Sequence, residues 1–335
     1  MLSRQAIYDI PSALRATLGS APAECQALVR SVRWGEGPLY IGGIGPASTL
    51  GLAAGYAFET FLSLPVVALP LGVLQNYTPS LARPRSVLLM ISLGEGTPEL
   101  HELAQVLRRR SSTLILLTNS PETPLAKLAD QVLLVRAQGE GEVPGILVCM
   151  HAALNLLAVV AAGILKPPAP QQAALEREFE GLADQLDWVL SQHAAGVRSL
   201  AAELLRQERL SVVGGGFFHI PALHTARRLQ RLAGLAAEGM EITEFALDLP
   251  HHPDGVLLLS GSRCKMKKFA HHAAAELRVR GARVLSLTDS NDRELAGRSD
   301  LALLLPTLSE AAGCTLSLFL GEWLAVEAER LGTRD

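Results

Sequence analysis

Short apolar runs and longer stretches of helical spacing alternate along the whole of this chain. LYI (39–41), VLLMIS (87–92) and LILLT (114–118) in the first half, and LSVV (210–213), VLLLS (256–260) and VLSLT (284–288) in the second, are rich in Val, Leu and Ile without regular polar alternation. Strands of a parallel sheet covered on both faces read this way. Between them, PELHELAQVLRRR (98–110) and KKFAHHAAAELRVRG (267–281) repeat apolar residues at helical spacing and end in basic residues or glycine, as helix C-termini do. Strand and helix in regular alternation predict an α/β fold with doubly wound parallel sheets.

The halves repeat at an offset of about 170 residues. LYI with GGIGPAS (Gly42 to Ser48) lies over LSVV with GGGFFH (Gly214 to His219), and VLLMIS with SLGEGT (Ser92 to Thr97) lies over VLLLS with SGSRCK (Ser260 to Lys265). The third landmark sets LILLTNSPETPLAKLADQVLLV (114–135) over VLSLTDSNDRELAGRSDLALLL (284–305), matching Thr118 to Thr288, Leu125 to Leu295 and Asp130 to Asp300. Three landmarks in one order predict two duplicated domains. A proline-rich break, KPPAPQQ (166–172), separates them and leads into a long charged helix. The expected organisation is an N-terminal helical segment (1–30), a first α/β domain (31–166), a linker helix (167–207) and a second α/β domain (208–335).

Ile146 to Leu165 is the one run that stands out as long and apolar enough for a bilayer, which takes roughly 20 residues. It holds His151 and Asn155 and lies between two halves of soluble character, so a helix buried on all sides is expected. The tail from Glu310 to Leu331 reads as a final amphipathic helix with Trp323 buried.

With 335 residues, about half of them apolar, the chain can bury two cores. The net charge of −3, with no basic stripe, argues against a nucleic-acid partner. Cys25, Cys149, Cys264 and Cys314 lie far apart without metal-ligand spacing, and read as small buried hydrophobes in a reducing compartment. No basic-apolar-small signal pattern opens the sequence, so a cytoplasmic protein without metal or cofactor, and no membrane association, is expected.

Ligands of such sheets bind beyond the carboxyl ends of the strands, where loops and helix N-termini offer N–H groups to an anion. SLGEGTPE is the most informative loop: Ser92 and Thr97 supply hydroxyls, Gly94 and Gly96 permit close backbone approach, and Pro98 suits the next helix. It reads either as an anion cradle with Glu95 at its tip or as an ordinary strand-to-helix turn capped by Thr97. The same rule singles out Gly43, Gly45 and Ser48 in the first turn. In the second half it singles out Gly215, His219, Ser260 and Ser262.

The landmark order, SLGEGTPE and TNSPETPLAKLAD together resemble the SIS (sugar isomerase) family of phosphosugar isomerases and binding domains. Within it the chain looks most like the isomerase half of glucosamine-6-phosphate synthase, whose opening segment EIxEQPxxLxxTL is similar to AIYDIPSALRATL (6–18) here, without the glutaminase domain. The resemblance spans nearly the whole chain. It implies a hexose- or hexosamine-6-phosphate ligand, isomerase or aminosugar-phosphate deaminase or deglycase chemistry, and a homodimer with its site near the subunit interface.

Departures from the family pattern keep a second reading open, a catalytically degenerate sugar-phosphate-binding regulator. The phosphate loop SxSGET becomes SLGEGT, and the first turn CGTS becomes GGIG. On the helix pattern LEGALKLKE, His224, Arg228 and Arg231 stand where Glu, Lys and Glu would be; on GELKHGP, Glu244 is kept and Leu247 replaces His. Isomerisation needs a base to move a proton between adjacent carbons. Glu244 and Glu238 are the candidates, with His251 or His252 for ring opening, against the alternative that these carboxylates are solvated surface. His224 and Arg228 read either as ligands for an acidic group or as a solvated basic face. A dinucleotide-dependent oxidoreductase is disfavoured, since neither GGIGPAS nor GGGFFH completes GxGxxG.

Overall fold

The computed structural model describes residues 4–77, 84–94, 96–108, 112–138, 144–167, 170–247, 249 and 255–333. Two compact units emerge: Asp9–Gly181, and Met1–Tyr8 with Leu182–Asp335. The division falls inside the segment expected as a linker helix. That segment is two helices parted at Gly181 rather than one, and each goes with a different unit.

The first unit runs α2 (Ile10–Ser31), β1 (Leu39–Gly43), α3 (Pro46–Leu62), β2 (Val66–Ala68), α4 (Leu71–Tyr77), β3 (Val87–Ser92), α5 (Pro98–Arg108), β4 (Thr113–Thr118), α6 (Pro124–Leu128), β5 (Gln131–Leu134), α7 (Pro144–Leu165) and α8 (Pro170–Glu180). The second holds α1 (Arg4–Tyr8), α9 (Leu182–Leu205), β6 (Leu210–Gly214), a 3-10 turn (Gly216–Phe218), α10 (His219–Ala233), β7 (Ala237–Glu241), α11 (Ile242–Leu247), β8 (Gly255–Leu259), α12 (Lys267–Val279), β9 (Arg283–Asp289), α13 (Arg293–Arg298), β10 (Leu301–Leu305) and α14 (Glu310–Gly332). Both sheets are five-stranded and wholly parallel, ordered β2-β1-β3-β4-β5 and β10-β9-β8-β6-β7. Read from opposite edges these are one connectivity, with the crevice-forming switch at β1/β3 and at β6/β8. The central strands β1, β3 and β8 are buried along their whole length, which their unbroken apolar runs require.

The repeat reaches single hydrogen bonds. Asp130 Oδ2 accepts the Leu114 amide at 2.8 Å, and Asp300 Oδ2 accepts the Val284 amide at 2.8 Å. In return each Asp donates its own N–H to the same residue's carbonyl, at 2.9 and 2.7 Å. Each aspartate thereby fixes where the fifth strand starts beside the fourth. Leu125 and Leu295, on the short helices before them, are both buried. The close of the first strand is also shared. A Cβ on Gly43 would stand 2.9 Å from the Ala47 carbonyl carbon, and one on Gly214 would stand 2.2 Å from the Phe218 oxygen. Only glycine lets the following helical turn return this tightly over the strand.

Among the described residues two helices are long and apolar enough to cross a membrane, and both are interior. The run 146–165 lies in α7 and is buried from Ile146 to Ala162, as expected, with Ile164 and Leu165 exposed at its end; Asn155 turns its amide onto the His151 carbonyl at 2.9 Å. The second is α14. The sequence reading made its run an amphipathic helix with Trp323 buried; Trp323 is buried, and so is nearly every residue from Ala311 to Ala328, including Glu322 and Glu327. Arg4 meets Glu327 at 2.5 Å and Tyr8 sets its ring against Trp323, so the first helix of the chain packs on the last. All four cysteines are free and buried. Burial pushes the thiols of Cys25, Cys149 and Cys264 up to about 12 and raises that of Cys314, so each stays protonated and unreactive.

Replacing Asp130 or Asp300 by Ala leaves a strand amide unmatched and costs about 1–2 kcal/mol of stability, whereas Asn, whose oxygen still accepts, costs about half of that or less. Urea unfolding midpoints of the four variants read this directly; an Ala variant no less stable than its Asn counterpart would refute the clamp.

Candidate functional site

In the first unit two turns open on one sheet edge, because β1 and β3 are hydrogen-bonded neighbours with Gly43 beside Ile91. After β1, Gly45 adopts φ +61° and Pro46 begins α3, which places Ser48, half-buried, in the first helical turn. After β3 the chain turns through Gly94 (φ +68°) and Gly96 (φ +85°), a left-handed region that side-chain-bearing residues rarely occupy. A Cβ on Gly96 would lie 2.9 Å from Leu125 Cδ2 and 3.3 Å from Ser92 Oγ. The loop therefore folds closely over the Ser92 hydroxyl, which is 1% exposed and has no hydrogen-bond partner among the described residues.

Two residues the sequence reading passed over hold this loop. Asn119, just after β4, accepts the Gly94 amide on Oδ1 at 3.0 Å. His101, in the first turn of α5, donates from Nδ1 to the Thr97 carbonyl at 2.9 Å, which leaves Nε2 as the ring's acceptor. The Thr97 hydroxyl, and after it the Glu99 backbone amide, hold the Glu99 carboxyl below the usual carboxylate range. Glu95 lies outside the described residues.

In the second unit Gly215 follows β6 and is packed against Ile242 and Met266, and the 3-10 turn then delivers His219 as the first residue of α10. His219 is half-buried, with Nδ1 lacking a hydrogen-bond partner among the described residues. Its pKa is lowered by desolvation, which the charges of Glu241 and Glu244 oppose. Glu241 ends β7 and turns back to cap α11, accepting the Thr243 amide at 2.6 Å, the Thr243 hydroxyl and the Glu244 amide at 3.3 Å. Glu244, one turn on, is exposed, and its charge is the smaller of the two that oppose the lowering at His219. Glu238 stands apart: it pairs with Ser211 near the start of β7, three residues from the carboxyl edge, about 10 Å along the strand.

His224 and Arg228 do not form a solvated basic face. Both are buried on α10 and converge on Glu322 of α14, His224 Nε2 at 2.5 Å and Arg228 Nε at 2.8 Å. The pairing spans more than ninety residues, so no local pattern could announce it. Ser260 and Ser262 follow β8; the Ser262 amide donates to Asp289 Oδ2 at 2.6 Å. His251 and His252 lie outside the described residues.

The SIS domain pattern matches this chain twice, at residues 35–162 and 203–327. The chain belongs to the SIS domain family. No curated protein matches its sequence. Among solved structures, this SIS chain is similar to the C-terminal domain of glucosamine-fructose-6-phosphate aminotransferase from Francisella tularensis (TM-score 0.86, 15% identity, 98% of this chain and 95% of that one). It is similar also to tagatose-6-phosphate ketose/aldose isomerase from Escherichia coli (TM-score 0.80, 15% identity, 98% and 92%). Such identities establish the shared SIS fold over nearly the full length; the side chains of each SIS crevice are this protein's own.

Since desolvation lowers the His219 pKa, the native state prefers the neutral ring, and stability is lost as pH falls below the ordinary histidine value of about 6.5. Proton NMR should find the His219 midpoint below that value, and Glu244→Gln should move it lower still by removing an opposing charge. A midpoint indifferent to Glu244→Gln would separate the two residues.

Proposed function

We propose that this SIS protein binds a hexose or hexosamine 6-phosphate and acts as a phosphosugar isomerase or an aminosugar-phosphate deaminase or deglycase. The observation that carries the reading is the Ser92–Thr97 loop: a buried hydroxyl without a partner among the described residues, under two left-handed glycines at the start of a helix. Phosphate bound there needs no cationic side chain, since loop amides and the helix N-terminus supply the field. The relatives named above, a glucosamine-fructose-6-phosphate aminotransferase and a tagatose-6-phosphate isomerase, act on phosphorylated sugars and point the same way.

For proton transfer we assign Glu244 as the base. It takes the proton from C2 of the open-chain aldose while the C2–H electrons form the C1–C2 double bond and O1 is protonated. Returning that proton to C1 as the O2–H proton leaves yields the ketose, and no proton is gained or lost overall. His219, neutral near pH 7, is placed to carry the oxygen-bound proton. A homodimer with the site near its interface is inferred from the resemblance to the family alone. A cytoplasmic location fits the four protonated thiols.

At ligand concentrations about 100-fold above Kd, a hexose or hexosamine 6-phosphate should stabilise the protein by about 2.7 kcal/mol, roughly 5–10 °C in Tm. Ser92→Ala should weaken that binding about tenfold. Glu244→Gln should keep the thermal shift and abolish exchange of the sugar C2 proton in deuterated water. No shift with any sugar phosphate refutes the reading, and a shift without exchange in the unaltered protein makes it a binder rather than an enzyme.

A further inference from the structure

His101 stands in the first turn of α5 with its ring against the loop after β3. Its Nδ1 meets the Thr97 carbonyl at 2.9 Å. A carbonyl only accepts, so Nδ1 keeps its proton whatever the charge of the ring, and the nitrogen that can gain or lose one is Nε2. The ring carbon between the two nitrogens, Cε1, lies 3.6 Å from the point a Gly96 Cβ would occupy, and the buried Ser92 hydroxyl lies 3.3 Å from that same point. A side chain at Gly94 would meet nothing within 4 Å, so the loop is open on that side. Protonation of Nε2 therefore sets a positive charge beside the loop and leaves the tie to Thr97 intact.

The second unit shows a histidine at the matching place without that freedom. His271 follows one repeat of about 170 residues later, on α12. Both of its ring nitrogens meet carboxylates, Nε2 with Asp292 at 2.8 Å and Nδ1 with Glu294 at 3.0 Å, so a charge on that ring is balanced on the spot. His101 has no ion-pair partner among the described residues. Its helix packs on α6 and β4. The charged groups on these elements are Glu99, Glu102 and Arg108 on α5 itself and Lys127 on α6, with none on β4.

We infer that His101 makes anion binding at the Ser92–Thr97 loop depend on pH: the protonated ring adds a cationic charge to a cradle of neutral groups, and binding weakens as that proton is lost. The inference rests on the phosphate reading of the loop given above and adds its regulation. Histidine is the side chain whose charge changes across the physiological range. A unit charge this close to an anion at a partly buried site changes affinity by about three- to tenfold at low ionic strength. A phosphorylated ligand is thus held more firmly on the acid side and released more readily on the alkaline side.

The test is a titration of the full chain with inorganic phosphate at low ionic strength, followed through the amide signals of Gly94 and Gly96. His101→Asn keeps an N–H donor for the Thr97 carbonyl but cannot take up a proton, and His101→Gln is a second uncharged variant should the first fail to fold. Phosphate itself titrates over this range, so the reading is the ratio of affinities, unaltered protein to variant, at each pH. That ratio should be about three to ten near pH 5.5 and fall to about one near pH 8. A ratio of one at both pH values overturns the inference. So does a ratio that departs from one equally at both, since that marks a structural role for the side chain; in either case phosphate binding at the loop stands. Loop signals that ignore phosphate at both pH values overturn the phosphate reading and this inference together.

Discussion

The turn after each central strand is held by one hydrogen bond, from a loop amide to the side chain that closes the neighbouring strand. The loop after β3 contains two residues with positive φ, and such a segment left to itself is conformationally loose. Tying Gly94 to Asn119 fixes the turn relative to the sheet, so the remaining amides and the Ser92 hydroxyl present one arrangement. Preorganisation of this kind is what lets neutral groups bind an anion well, because the ordering cost has been met in folding. The side chain that does the tying also contributes its own field. It is a neutral amide in the first unit and a carboxylate in the second.

Much of this was legible from the chain alone, for a physical reason. A parallel strand buried on both faces must be a continuous apolar run, so six such runs and the turns after them located both sheets and their carboxyl edges. The Asp130 and Asp300 match was visible as a repeat, and the structure supplies its cause in two identical strand clamps. The Asn119 and Asp289 contrast was also present in the aligned landmarks, as TN over TD. It was passed over because a residue's weight there comes from the amide it faces, which only the folded loop reveals.

Other features had no local signal. α14 carries Glu322 and Glu327 in an otherwise apolar run, and the partners that meet them, His224 and Arg228 on α10, Arg4 on α1 and Arg330 on α14 itself, explain their burial. Removing one partner of such a buried cluster commonly costs 3–5 kcal/mol, since the remaining charge is stranded. His224 and Arg228 are accordingly held to the α10–α14 contact, and Gly321 beside them has no room for a side chain against Thr225. Where the family pattern sets a glutamate on α10, this chain has a histidine whose carboxylate partner sits on another helix.

That exchange constrains where proton chemistry can occur. A histidine bonded through Nε2 to a fully buried carboxylate, itself shared with an arginine, is poorly placed to trade protons with a ligand at the sheet edge. Glu244 differs on each count: it is exposed, at the carboxyl edge, and its neighbour Glu241 is already committed to capping α11. His219 begins α10, where the helix N-terminus and burial both disfavour the protonated ring. A carboxylate and a neutral imidazole with separated protonation preferences are what a proton shuttle needs near neutral pH. The duplication that built two equal sheets therefore leaves them with unequal edges: one holds the buried Ser92 hydroxyl under two left-handed glycines, the other the carboxylates of Glu241 and Glu244 around His219.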